Sequence, residues 1–481
     1  MESTIVEELE RDMSPEVAAA FTHLAVEYLA ETRDASQRVT TRHTPAELAA
    51  RFAEPLPRAG RSVQEIVTRL RTDVIAESNH LSHPRYMGHQ MSAPLPAAIW
   101  TESVIGALNQ SVAVWEMSPA GTVIETQVIR WMCELAGFPP GAGGTMTSGG
   151  TEATQTALLA ARAAAMPNAW ADGVGANPPV VVYGEHAHYA VSRAVGAMGL
   201  GVSNAVRVPS RDHRMDVSAL HETLDRLAAE GRGVMAVVAT AGSTATGSFD
   251  DLETIGTLCE ERGIWLHVDG AHGASALLSA EHRQCVKGIE RAQSIAWDPH
   301  KMMLMPLAAG AVLLRDERRL EAAFSQQAPY LFHGAGATER RWDQGTRSAQ
   351  CSRRMDALKL WVALQRYGAD GIGALYDRLC EVARAMHDEI ARRPQLEALH
   401  EPEANILCFR WVGHGSADAA TLDAVNRELR ERYNASGHGW ITATDLDGRR
   451  VLRVTIMNPR TTPAHCREVV DGLIATVAEL G

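Results

Sequence analysis

Apolar positions recur at helical spacing from Ser14 to Thr32, behind a Ser-Pro start, and again from Ser62 to Ser78, beyond a Pro/Gly-rich joint at Pro55 to Gly60. These two amphipathic helices carry too few apolar residues for a core of their own. They are expected to lie against another part of the protein or against a second subunit. A further helical stretch, Pro119 to Phe138, leads into a glycine-rich segment that ends at Gly149-Gly150. Alanine and leucine then dominate from Thr151 to Ala165, until Pro167 stops the helix. Past Pro178 the pattern changes to short apolar, β-branched runs: Pro179 to Tyr183, Ala205 to Val208, Val234 to Thr240, Ile264 to Val268, Ser294 to Trp297 and Ala309 to Leu314. Amphipathic segments such as His188 to Gly199, Val217 to Gly231 and Asp251 to Gly263 lie between them. Alternation of this kind predicts an α/β fold, with a mainly parallel sheet covered on both faces. From Asp356 to Ile390 helical periodicity returns, and strand-like runs follow at Ala404 to Trp411, Trp440 to Thr444 and Val451 to Met457 before a closing helix, Pro463 to Leu480. The organisation expected is an N-terminal helical segment over 1–80, a large α/β domain over 81–355 and a small α+β domain over 356–481.

Composition narrows the function classes. The chain has 481 residues, 46% hydrophobic and 22% charged, as in an ordinary globular protein. Its longest apolar run, Leu304 to Leu314, is too short for the roughly 20 residues of a membrane-spanning helix. A net charge of -12 argues against a general nucleic-acid or anionic-membrane surface. The seven cysteines are scattered, odd in number and without a CxxC, so they read as reduced thiols rather than a disulfide frame or zinc site. The acidic N-terminus lacks an apolar signal core. A cytoplasmic protein is the expectation.

In parallel sheets ligands bind at the carboxyl ends of the strands. Polar residues stand where these runs stop: Glu185 to His188, Thr240 to Thr246, Asp269 to His272 and Asp298 to Lys301. Lys301 sits after Pro299-His300 and before a long apolar run. An amine beside apolar surface loses hydration of its charged form and becomes a nucleophile toward carbonyls, although a snorkelling lysine at a strand rim has the same setting. The glycine-rich join at Gly149-Gly150-Thr151 is either a plain turn or a helix start whose free N–H groups bind phosphate. Asp269 and Lys301 at neighbouring strand ends suit pyridoxal phosphate, which needs an anion opposite its ring nitrogen and a lysine for its aldehyde. His188 offers a flat partner for the ring.

Several segments resemble the group II pyridoxal-dependent amino-acid decarboxylases, which include glutamate, cysteine sulfinate, aromatic-amino-acid and diaminobutyrate decarboxylases. They are TSGGTEAT at Thr147, EHAHYAV at Glu185, ATAGSTATGSFD at Ala239, HVDGAHG at His267, WDPHKMM at Trp297, YLF at Tyr330, QCSRRMDALKLW at Gln350 and LRVTIMNP at Leu452. The resemblance implies an aspartate-aminotransferase-like (fold type I) enzyme that removes the α-carboxylate of an L-amino acid as carbon dioxide. It implies that Lys301 carries the cofactor, Asp269 pairs with the ring nitrogen and His188 stacks on the ring. Gly150, Thr151 and His300 would hold the phosphate, Ala271 would lie on the ring's other face, and Thr244 near its substituents. Arg453 would take the substrate's α-carboxylate, and Tyr330, in a loop, would protonate the carbon after carbon dioxide leaves. His89 and Gln90, in a segment that forms part of the family's substrate wall, are polar and favour an acidic substrate, with aromatic and diamino acids as alternatives. Transamination or oxidative deamination with the same cofactor, and a non-catalytic scaffold, are the other readings. Sites shared between two subunits imply a homodimer, with the N-terminal helices and the Tyr330 loop as swapped contacts. Two positions depart from the family: Asp298 stands where asparagine is frequent, close to the phosphate position, and His272 stands where several members have an aromatic residue.

Overall fold

The computed structural model describes residues 5–34, 36–324, 342–413, 415 and 418–479. Packing divides the chain into two units: Gln90–Arg384 with His400–Cys408, and Met1–His89 with Ala385–Leu399 and Phe409–Gly481.

The larger unit is built on a seven-stranded sheet. Its order is Gly143–Thr147, Gly310–Leu314, Ser294–Trp297, Trp265–Asp269, Val234–Thr240, Val180–Gly184 and Ala205–Val208. Gly310–Leu314 runs antiparallel to both of its neighbours, and the other pairings are parallel. Strands such as Val180–Gly184 and Ser294–Trp297 are buried at every position. This explains why they read as continuous apolar runs rather than as an alternation: helices cover both faces. The helix Gly150–Ala165 presents two faces to this core. Ala153, Ala157 and Ala160 pack with Ala296, Val312 and Leu314, while Leu158 and Ala161 join Val181, Val191 and Val238. The small alanine side chains let the helix axis lie close to the sheet. Full burial of a side chain such as Leu158 contributes about 1.5–3 kcal/mol.

The six runs anticipated from the sequence are all strands, within one residue at each end. A seventh, Gly143–Thr147, belongs to the stretch read from sequence as a glycine-rich loop. It is an edge strand with a single neighbour, and its composition answers to that neighbour: a Cβ on Gly144 would stand 2.0 Å from the Val312 carbonyl oxygen. The long helical periodicity after Asp356 is also observed, as Ala357–Ala391, with a break at Gly368, whose φ of 71° is left-handed.

The smaller unit carries most of a five-stranded sheet in the order Tyr86–Met87, Trp440–Leu446, Arg449–Thr455, Ile406–Trp411 and Leu396–Ala398, of which Ile406–Cys408 is grouped with the larger unit. Trp440–Leu446 and Arg449–Thr455 form a hairpin closed by Asp447 and Gly448, both at positive φ (50° and 72°). Asp-Gly is the sequence favoured for such a two-residue turn, because its twist matches that of the strands. N-terminal residues are tied to this unit through backbone: the Val39 N–H donates to the Gly437 carbonyl at 2.9 Å, and Asn458 Nδ2 donates to the Ser82 carbonyl at 2.9 Å. The front helices begin as their sequences dictate. Ser14 caps Pro15–Glu31 through the Val17 N–H, and Ser62 with Glu65 forms a capping box for Val63–Arg69. No helix among the described residues is long and apolar enough to cross a membrane.

Candidate cofactor site

Where strands of the large sheet end, the larger unit holds a cavity of about 350 Å³. Its lining includes eight of the residues singled out from the sequence: Gly150, Thr151, His188, Thr244, Asp269, Ala271, His300 and Lys301. Adjacent strands deliver them. Asp269 ends Trp265–Asp269, paired in register with Thr240 on one side and Ala296 on the other. Two residues beyond Ala296 the chain reaches Asp298, and then His300 and Lys301.

One wall is the start of the helix Gly150–Ala165. The first N–H groups of a helix have no acceptor within it, and the helix dipole adds partial positive charge there, so this end attracts an anion. Gly150 is needed at that point because a Cβ would stand 2.9 Å from Ala271 Cβ and 3.0 Å from Asp298 Oδ2. The Gly150 N–H donates to Asp298 Oδ2 at 2.9 Å, and the same oxygen lies 3.1 Å from Lys301 Nζ and 3.5 Å from His300 Nε2. Asp298 is 1% exposed, and its Oδ1 meets no hydrogen-bond partner among the described residues. Instead of turning away, the carboxylate points into the anion cradle.

Asp269 is nearly buried, with Oδ1 accepting the Ala271 N–H at 3.2 Å. His188 Nδ1 accepts the Ala190 N–H at 3.2 Å, so the proton of its neutral ring sits on Nε2. Burial pushes the His188 pKa below the usual histidine value, and Asp269 works against that shift. His300 is lowered by burial as well, and its Nδ1 accepts the Ala309 N–H at 3.1 Å. Beneath the cavity His267 is wholly buried, with Nδ1 2.9 Å from Ser294 Oγ and Nε2 3.4 Å from Thr154 Oγ1. Burial lowers its pKa to about 4, so the ring is neutral.

The lining also includes Ser148, Gly149, Thr240, Gly242, His272, Asp298 and Leu307. Asp298 and His272 are the two departures noted in the sequence. His272 donates from Nε2 to Asn405 Oδ1 at 2.7 Å. Thr240 and Gly242 lie in the Thr240 to Thr246 stretch read from the sequence at a strand end, and Thr240 is the last residue of its strand, as Asp269 is of its own. Leu307 carries no sequence signal of its own.

Three other candidates lie elsewhere. Gln90 begins the larger unit but is not among the described lining residues. His89 and Arg453 belong to the smaller unit. There Arg453 is 5% exposed, with NH1 donating to Thr442 Oγ1 at 3.3 Å. Burial lowers the His89 pKa, and the charges of Arg453 and Arg430 lower it further. Tyr330 lies outside the described residues.

The donor set fits pyridoxal phosphate: a lysine amine, a carboxylate at the next strand end, a neutral imidazole and a helix start for the phosphate share one cavity. The family model for the pyridoxal-dependent decarboxylase conserved domain matches residues 45–412. Cysteine sulfinic acid decarboxylase of Rattus norvegicus is 33% identical over 460 residues, covering 93% of this chain and 92% of the relative. L-2,4-diaminobutyrate decarboxylase of Rhizobium meliloti (strain 1021) is 32% identical over 428 residues, covering 89% and 84%. The crystal structure of mouse CSAD superposes with a TM-score of 0.91 at 28% identity, covering 99% of both chains. The chain therefore belongs to the pyridoxal-dependent decarboxylases, enzymes of fold type I that use pyridoxal phosphate to release carbon dioxide from amino acids.

Proposed function

We propose that the protein decarboxylates an L-amino acid whose side chain ends in an anion, of the glutamate, aspartate or cysteine sulfinate type. The acidic preference is supported by the positive charge of Arg453 and Arg430, which after burial lowers the His89 pKa in the smaller unit. Two guanidinium groups offer one partner for an α-carboxylate, assigned to Arg453, and one for a second anion. A diamino acid is the second reading, favoured by the 32% identity with a diaminobutyrate decarboxylase.

When bound, pyridoxal phosphate supplies an electron sink for the carbon that loses carbon dioxide. Asp269 holds a proton at the ring nitrogen, because a buried anion beside that atom favours its charged form. Lys301, whose Nζ stands in the cavity, would hold the cofactor by its aldehyde. His188, whose pKa burial lowers, would cover one ring face as a neutral partner, and Ala271 would lie against the other. Gly150, Thr151 and His300 would hold the phosphate, and Thr244 would lie near the ring's substituents. Tyr330 is assigned the proton returned to the substrate carbon.

We also propose a cytoplasmic homodimer. Trp100, Val104 and Leu108 on Pro96–Leu108 are 39%, 51% and 48% exposed, and Ile5–Asp12 buries none of its residues in the single chain. Apolar surface of this extent favours a second copy.

The test is a substrate panel, with carbon dioxide, amine and keto acid measured together and the mass of the active species taken by sedimentation. Carbon dioxide and amine from cysteine sulfinate, aspartate or glutamate, by a species of twice the chain mass, are expected. Lys301→Ala is expected to lower the rate at least about a hundredfold. Turnover of 2,4-diaminobutyrate or an aromatic acid alone overturns the acidic reading, and keto acid without carbon dioxide overturns decarboxylation.

A further inference from the structure

We infer that Asp298 competes with the cofactor's phosphate for the start of the helix Gly150–Ala165. The chain would then bind pyridoxal phosphate more weakly than it would with a neutral residue at position 298. This rests on the cofactor reading above and adds a determinant of affinity to it.

The competition is visible in what one oxygen touches. Asp298 Oδ2 takes the Gly150 N–H at 2.9 Å and lies 3.1 Å from Lys301 Nζ and 3.5 Å from His300 Nε2. Those are three groups the cofactor needs, two for its phosphate and one for its aldehyde. The side chain cannot drift off easily. Its own N–H is bonded to the Ala271 carbonyl at 3.1 Å, and it is 1% exposed.

A purely structural cap would satisfy both carboxylate oxygens, since buried polar atoms are nearly always paired. Here Oδ1 meets no partner among the described residues. An arriving phosphate brings further negative charge to the same donors, in a place where burial weakens screening. Either Asp298 gives up the Gly150 N–H, or one proton is taken up and shared between Oδ1 and a phosphate oxygen. An asparagine meets neither difficulty: its Oδ1 accepts the Gly150 N–H and its NH2 group donates to the phosphate.

The experiment compares cofactor-free full-length protein with its Asp298→Asn and Asp298→Ser variants. Each is titrated with pyridoxal phosphate, with pyridoxal and with inorganic phosphate, followed by visible absorbance for the two aldehydes and by calorimetry for phosphate. Thermal melts of the cofactor-free proteins verify folding, and the serine variant carries the test where the asparagine variant fails to fold. Pyridoxal phosphate is expected to bind Asp298→Asn about tenfold more tightly or better, the value of removing one nearby like charge. Inorganic phosphate should tighten in parallel, and pyridoxal, which lacks the phosphate, should change little. Unchanged or weaker pyridoxal phosphate binding by the folded variants overturns the inference while leaving the cofactor reading intact. Equal tightening of pyridoxal also overturns it, by moving the effect from the phosphate to Lys301. Absence of binding in every protein overturns the cofactor reading and this inference together.

Discussion

Glu125 and Asp298 are carboxylates almost sealed from water in the same unit, at 0% and 1% exposure, and their surroundings differ. Glu125 is complete. Its two oxygens receive Arg353 NH1 and NH2 at 2.9 and 2.6 Å, and Oε1 also accepts the Met146 N–H at 3.0 Å. Arg353 NH2 reaches Thr145 Oγ1 at 3.2 Å as well, so the pair fastens the edge strand that leads into the phosphate-side helix. Asp298 concentrates its partners on one oxygen, and the other meets none among the described residues. A completed buried pair holds the scaffold, whereas the other carboxylate stands at a cavity wall with one oxygen open to a further donor. The two carboxylates are chemically alike, and their roles follow from the donors that tertiary packing brings to each.

The largest test of this contrast breaks the completed pair. Arg353→Ala should destabilise the protein by about 3–5 kcal/mol, because Glu125 is left as an uncompensated buried charge. Urea unfolding measures it; a loss near 1 kcal/mol would mean that Glu125 finds other donors. The next concerns His267, another buried group with both ring nitrogens engaged. Its folded pKa, about 4, lies below the ordinary 6.5, so its contribution to stability is fully present above 6.5 and is lost as pH falls toward 4. The loss should reach about 3 kcal/mol, and His267→Asn should flatten the stability profile over that window. An unchanged acid slope in the variant would assign the dependence to other groups. The smallest effect belongs to an exposed pair, Arg226 and Glu230, 2.9 Å apart with side chains 53% and 42% exposed. Arg226→Ala should shift stability by less than about 0.5 kcal/mol, since water already solvates both partners. A larger loss would show that ion-pair burial is the wrong basis for the comparison.

Much of the larger unit was legible along the chain. Its six apolar runs are continuous because both sheet faces are covered, and continuous runs are easy to read. The polar residues that follow them stand at the strand ends, which is why Asp269, His300 and Lys301 could be placed together before any geometry was known. Gly143–Thr147 escaped because an edge strand made of glycines and threonines looks like a loop, and the need for Gly144 comes from the backbone of a strand far along the chain. The hairpin at Asp447-Gly448 carried a local signal in its Asp-Gly pair that the apolar pattern did not use.

What the sequence by itself determined is the set of elements, the order in which they deliver polar residues to one edge of a sheet, and the chemistry those residue types can perform. Such information is local, written in periodicity, caps and side-chain identity. Only the tertiary structure decided that Glu125 meets an arginine 228 residues away, that Asp298 faces the helix start, and that one of its oxygens has no partner among the described residues. Partnership of a buried charge depends on donors from distant segments arriving within about 3 Å, and no spacing along the chain encodes that distance.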